Sequence, residues 1–268
     1  MNRFFLQIFY LLLSVLIFPS AGLGADSVEI LENGTPEQKI EMIYNMGYAR
    51  SKRGFWYFVK YLDYLPNGNE SPDSIKMREA SAEALGRIEY EPAVKYLIAR
   101  YEKETQIKVK IKIIFALSFY RDEKSFPVIK NALSSKDPDL RFEALITASK
   151  YENPEFKSFL ETGYSESKDI PARCASAYGL YMLDKEKQYL DFIISGLKER
   201  SPEARYWAAH YLRLIGEVSV MPHIINALKV ENKYWVRNEL ELAAYSLRDK
   251  EREIEESERN TRFDFLVN

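Results

Sequence analysis

Two histidines, one cysteine and one pair of glutamates are the residues of this 268-residue chain whose types suit catalysis or metal binding. His210 and His223 lie neither in a His-Glu pair nor at the i, i+4 spacing that puts two ligands on one helix face, so no metal is expected. Cys174 stands alone, which rules out an intrachain disulfide, and no His or Asp pattern beside it marks a nucleophile. It reads as a small helical residue. Glu79 and Glu83 share a helix face, but like charges four apart are ordinary on a solvated surface, here the polar end of a groove. A row of cations recurs at Arg78, Lys110, Arg141, Arg173, Arg205 and Arg237. The formal charge of -2, or -3 once Arg3 is lost, leaves no basic excess to drive binding to nucleic acid. These residues point to no catalytic site and no cofactor.

The elements that position them follow from the spacing of that row, whose steps are 32, 31, 32, 32 and 32 residues. A fixed period of this size marks stacked supersecondary units that bury their apolar faces only against one another. Around each basic residue the window repeats an apolar residue before it, small residues three, four and six places after it, and usually Leu at seven. That is the period of a tightly packed helix, the second of each unit. Amphipathic segments such as 91–101, 126–133, 156–162, 188–197 and 220–228 supply the first helices, with Pro92, Pro127, Pro154 and Pro222 near their starts. An earlier copy opens at Thr35 and Pro36, with Lys39 in register, 39 residues before Arg78. The surplus fits a loop over 66–73, and seven second helices result.

The windows from Met77 to Ile88 and from Ala204 to Gly216 resemble the bacterial HEAT-type repeat, in the short form also found in phycobilin lyases. The resemblance extends from about Thr35 to Asp249 and implies an all-α, right-handed α-solenoid of helix-turn-helix units. It also implies a ladder in which the repeated basic residue meets an acid at the start of its own helix. Asp137 and Asp169 fit that pattern, Asp73 fits one residue further off, and Thr105, Ser201 and Lys233 depart from it. The deoxyhypusine hydroxylases, which share the architecture, need several His-Glu pairs that this chain lacks.

At the N-terminus, Arg3, an apolar run over 4–18 and small residues up to Ala25 have the order of a secretory signal peptide over 1–25. Export to the periplasm or the medium is the expectation, with an uncleaved membrane anchor as the alternative. Residues 26–249 then form the solenoid, and 250–268, dense in both charges, form a capping helix or tail whose Phe263, Phe265, Leu266 and Val267 fold back onto the stack.

Counted from the basic residue, places one and five lie opposite the small-residue seam, and place eight extends them. They hold Ile111, Phe115, Phe142, Ile146, Tyr178, Tyr181, Tyr206, His210, Arg213, Leu242 and Tyr245. On the concave side of a solenoid these would form an apolar and aromatic strip for a protein or peptide; covered by neighbours, they would be core. The expectation is an exported, non-enzymatic scaffold that binds through this strip. Two alternatives stand beside it: a lyase or isomerase acting on a bound cofactor or modified protein, and a membrane-tethered envelope protein.

Overall fold

The computed structural model describes residues 25–267. The expected leader, and with it the export and anchor alternatives, lies outside the described residues save for Ala25. Two compact units divide the chain at Tyr151 and Glu152. Both are all helical, and the fold is an α-solenoid of stacked helix-turn-helix repeats.

Unit 1 contains α1 (Ala25–Asn33), α2 (Pro36–Tyr48), α3 (Phe55–Leu62), α4 (Pro72–Arg87), α5 (Ala93–Lys103), α6 (Ile107–Leu117), α7 (Phe126–Leu133) and α8 (Pro138–Tyr151). Unit 2 contains α9 (Lys157–Glu166), α10 (Ile170–Asp184), α11 (Lys187–Gly196), α12 (Pro202–Ile215), α13 (Met221–Val230) and α14 (Tyr234–Val267). The even-numbered helices are the second helices, seven of them among the described residues. Thr35 caps α2 through a reciprocal capping box with Gln38, and Pro36 occupies the first turn. The α4 cap is Ser71, paired with Ser74. The expected 66–73 loop is partly a 3-10 turn, Pro66–Gly68, and its Glu70 turns inward to Arg78.

The small-residue seam is the main packing surface between second helices in unit 1. A Cβ added to Gly47 would lie 2.8 Å from the Cα of Ala84, and one added to Gly86 would lie 2.6 Å from the Cα of Ala116. Place eight of one helix thus meets place six of the next at near-backbone contact. Six of the seven second helices, α2 to α12, are followed by a left-handed residue: Arg50, Glu89, Arg121, Glu152, Lys185 and Gly216. This orients the chain back into the next first helix. Only the last of them is glycine, so composition alone does not reveal the position.

The charged segment from 250 onward is not a separate capping helix. It continues α14, one 34-residue helix from Tyr234 to Val267, because no breaker interrupts it. The side chains of Phe263, Phe265, Leu266 and Val267 lie outside the described residues. No helix among the described residues is long and apolar enough to cross a membrane.

Candidate functional site

The periodic basic residues are structural, though not in the ladder expected from the repeat family. Arg78 is fully buried and donates to Glu104 (3.0 Å), Glu70 (2.7 Å) and the Tyr64 carbonyl (3.1 Å). Arg205 donates to both oxygens of Glu231 at 2.7 and 3.0 Å. The acids stand 26 residues later, at the end of the next first helix. There each also accepts backbone amides that lead into the next second helix, from Thr105 and Gln106 at Glu104 and from Asn232 and Lys233 at Glu231. Asp137 and Asp169 are instead caps of their own helices, accepting from Leu140 and Ala172. Four places ahead of the basic residue, rather than six, a short side chain is committed to its own helix amides. Arg141 and Arg173 accordingly donate to the carbonyls of Ser135 and Tyr164, Arg237 pairs with Glu241, and Lys110 lies over the Tyr101 ring.

The expected strip is mostly core. Ile146, Tyr178, Tyr181 and Tyr206 are buried, and Ile111, Phe115, Phe142, His210 and Arg213 are partly buried. Only Leu242 and Tyr245, at 53% and 65%, are exposed. The reason is lateral packing: Tyr178 stacks on Tyr211 of the next second helix at 5.1 Å, Tyr206 meets Trp235 at 5.7 Å, and the Tyr181 hydroxyl donates to Glu217. No helix follows α14 among the described residues, so its two strip positions remain open.

What reaches the surface of this face is charge, placed by residues at register place two. In unit 1, Lys112 on α6 lies 2.6 Å from Glu83 on α4, which also accepts from Arg87 at 2.9 and 2.7 Å and from the Tyr48 hydroxyl at 3.4 Å. Burial alone would raise the Glu83 carboxyl, but Lys112 and Arg87 outweigh it and hold it below the usual carboxylate range. Arg87 also lies 4.2 Å above the Tyr48 ring. Glu79, with less compensation, is pushed up by burial.

In unit 2 the same register brings Glu239 on α14 to His210 and Arg213 on α12. Glu239 accepts from Arg213 Nε at 2.8 Å and lies 3.1 Å from His210 Nδ1. Burial would raise its carboxyl, yet His210 and Arg213 outweigh this and keep it ionised. Nδ1 of His210 also lies 3.2 Å from Nη2 of Arg213, so this one nitrogen meets both the Glu239 carboxylate and the Arg213 guanidinium, and Nε2 is left as the outer ring nitrogen. Aromatic rings surround the imidazole: Trp207 edge-on at 5.4 Å and Tyr206 nearly parallel at 6.2 Å, with Trp207 stacked in turn on Tyr211 at 5.7 Å. Trp207, His210 and Arg213 are partly exposed, so an indole, an imidazole and a guanidinium reach solvent on this face.

Sequence reasoning selected His210, Arg213 and Tyr206 here but missed Trp207 and Glu239, as it missed Lys112 in unit 1. All three stand two places after the periodic basic residue, a place assigned to neither face; its polar character in α6, α8 and α14 was the available signal. Cys174 is buried, and burial pushes its thiol up to about 12. His223 is exposed, on α13, away from the His210 set in the sequence register. No group of three metal-ligating side chains occurs among the described residues.

The sequence of residues 94–180 matches the family of HEAT repeats. The bilin biosynthesis protein PecE of Mastigocladus laminosus is 30% identical over 166 residues, 60% of this chain and 60% of that protein. The PecE of Nostoc sp. is 26% identical over 155 residues, 56% and 59% of the two. The chain thus spans about six-tenths of the length of the curated relatives it matches. Among solved structures, that of the complex of CpcE and CpcF of phycocyanin lyase from Nostoc sp. PCC7120 superposes with a TM-score of 0.66, at 17% identity, over 87% of this chain and 99% of that one. This last likeness is one of fold.

These relatives correct the expectation of a non-enzymatic scaffold. Both curated ones are named for bilin biosynthesis, which favours the lyase alternative. Glu239 and His210 are 29 residues apart and meet only across a helix pair, so their contact is not visible as a cluster in the sequence.

Proposed function

We propose that this HEAT-type repeat protein is a lyase-type protein acting on a linear tetrapyrrole, in the class of reaction that joins such a chromophore to a protein thiol or releases it. The observation that carries the reading is the His210, Arg213 and Glu239 set against the rings of Tyr206 and Trp207. The partly exposed Trp207 ring suits a stacked pyrrole ring, and the Arg213 guanidinium suits a propionate carboxylate. Glu239 orients His210 so that Nε2 takes a proton from the attacking thiol. In the addition, sulfur bonds to the exocyclic carbon of the terminal ring's double bond, and the proton passes to the adjacent ring carbon. No oxidant or reductant is consumed. Cys174, buried and with its thiol held protonated, is not the acceptor; that thiol belongs to a separate protein.

The test mixes the purified full chain with a bilin carrying an exocyclic ethylidene group and follows its visible absorbance. A shifted, sharpened band is expected, reduced in Trp207→Ala and in Arg213→Gln. An unchanged spectrum with the wild-type chain at high micromolar concentration overturns the reading.

A further inference from the structure

A cavity of about 440 Å³ in unit 2 is lined from α11, α12 and α13 and from the residues that follow α11 and α13. Its origin lies in a difference between the two Arg-Glu pairs. In unit 1 two further charges enclose Arg78 and Glu104: Arg100, four residues before the acid, donates to it at 3.0 and 2.7 Å, and Glu70, eight residues before Arg78, accepts from that arginine at 2.7 Å. The same places around Arg205 and Glu231 hold Ala227 and Leu197. A methyl group and an isobutyl group thus stand where a guanidinium and a carboxylate fill the space in unit 1, and both line the cavity. Ile194 and Val230 extend this apolar wall, with Val230 81% exposed.

The charges of the lining are unevenly spent. Arg205 commits Nε and Nη2 to Glu231 and Nη1 to the carbonyls of Glu199 and Arg200, and Glu231 also accepts the amides of Asn232 and Lys233. What remains are donors. The Lys198 and His223 side chains line the cavity and make no hydrogen bond or ion pair among the described residues, and the Asn226 amide, whose oxygen accepts from Lys229 at 3.3 Å, keeps its N–H groups free. Lys198 and Arg205 against Glu231 give the lining a formal charge of +1 with His223 neutral.

We propose that this cavity binds a small organic anion with an apolar body, an aliphatic or aromatic carboxylate, whose hydrocarbon part lies against Leu197, Ala227 and Val230 and whose head group is met by Lys198, His223 and Asn226. Its volume is within the range of about 300–1,000 Å³ typical of ligand pockets, and apolar walls with a few polar groups are their usual lining. A cation meets the positive charge of the lining, and a neutral chain forgoes the charge-assisted hydrogen bonds. The site shares no residue with the His210 set, so it stands or falls separately from the function proposed above.

Octanoate is the probe, titrated calorimetrically into the full chain beside octylamine and octanol, with circular dichroism as the fold check. Wild type is expected to bind octanoate with a Kd below about 1 mM and about fivefold or more tighter than either analogue. Ala227→Arg, which restores the side chain found at this place in unit 1, is expected to fill the cavity and abolish octanoate binding. Lys198→Met is expected to weaken octanoate about fivefold or more and to leave octanol unchanged. Lys198 is exposed, so this variant keeps the fold and reads the head group even where Ala227→Arg does not fold. No binding by wild type at about 5 mM octanoate, or binding by a folded Ala227→Arg within twofold of wild type, overturns the site. Octylamine bound as tightly as octanoate, or octanoate bound by Lys198→Met within twofold of wild type, overturns the assignment to an anion.

Discussion

Lys112 reaches across one repeat to Glu83, with Nζ 2.6 Å from Oε2, and this contact joins α4 to α6 by charge beside a seam of small residues. Glu83 is 4% exposed at its side chain and Lys112 27%, so the pair is less screened than a surface bridge. Lys112→Met should lower stability by about 1–2 kcal/mol, since it leaves a buried carboxylate with Arg87 as its remaining cation. The folded Glu83 carboxyl lies below its ordinary value, so its stabilisation is present above about pH 4.5 and is lost as pH falls through the folded value. Urea unfolding of the two proteins should therefore differ at pH 7 and converge toward pH 3. Equal midpoints at pH 7 count against the pair.

Glu143, buried on α8, has the opposite sign. Its folded carboxyl is raised above the ordinary 4.5, so its contribution is full below that value and is lost as pH rises through the folded value. Glu143→Leu should stabilise the chain by about 1–2 kcal/mol at neutral pH, with the gain shrinking below pH 4.5. A melting temperature at pH 7 no higher than wild type would contradict this account of its burial.

The left-handed residues that end the second helices give a prediction from backbone conformation alone. Glu89 and Arg121 adopt φ of 46° and 50°, which glycine tolerates better, so Glu89→Gly and Arg121→Gly should each stabilise or be neutral, by up to about 1 kcal/mol. Gly216, at φ 66°, is already matched, and Gly216→Ala should cost about 1 kcal/mol. Thermal unfolding of the three variants checks the contrast in sign.

If His210 carries the proton in chromophore attachment, His210→Gln should slow adduct formation by about 10²–10⁴-fold. Glu239→Gln should slow it less and displace the limb of the pH–rate profile that reports the imidazole, because it acts on His210 rather than on the substrate. Mass spectrometry of the thioether product over a pH series reads both. An unshifted profile in Glu239→Gln removes its positioning role.

Cleavage near Ala25 or Asp26 would leave every helix from α1 onward essentially intact. The export reading of residues 1–25 thus expects a mature chain that starts there in the periplasm or the medium. Intact mass and cell fractionation decide it: Met1 retained in the membrane fraction favours the anchor, and Met1 retained in soluble cytoplasm removes both.

The 32-residue step of basic residues, the seam of small side chains and the proline positions were enough to determine the helices, their order and the seven second helices. Local propensity and apolar period act over a few turns, so they are written in contiguous residues. Thr35 as a cap and Gly86 in the seam belong to that class. Which face is open was decided only by tertiary packing. Tyr178 and Tyr206 carry the composition of a binding strip, but rings from the following second helices cover them. Glu239 acquires a role only where α14 lies beside α12, 29 residues from His210, and Glu143 is distinguished from it only by facing a repeat that has Phe115 in place of a charge. Such pairings depend on the lateral register between helices, a distance that no periodicity within one helix encodes.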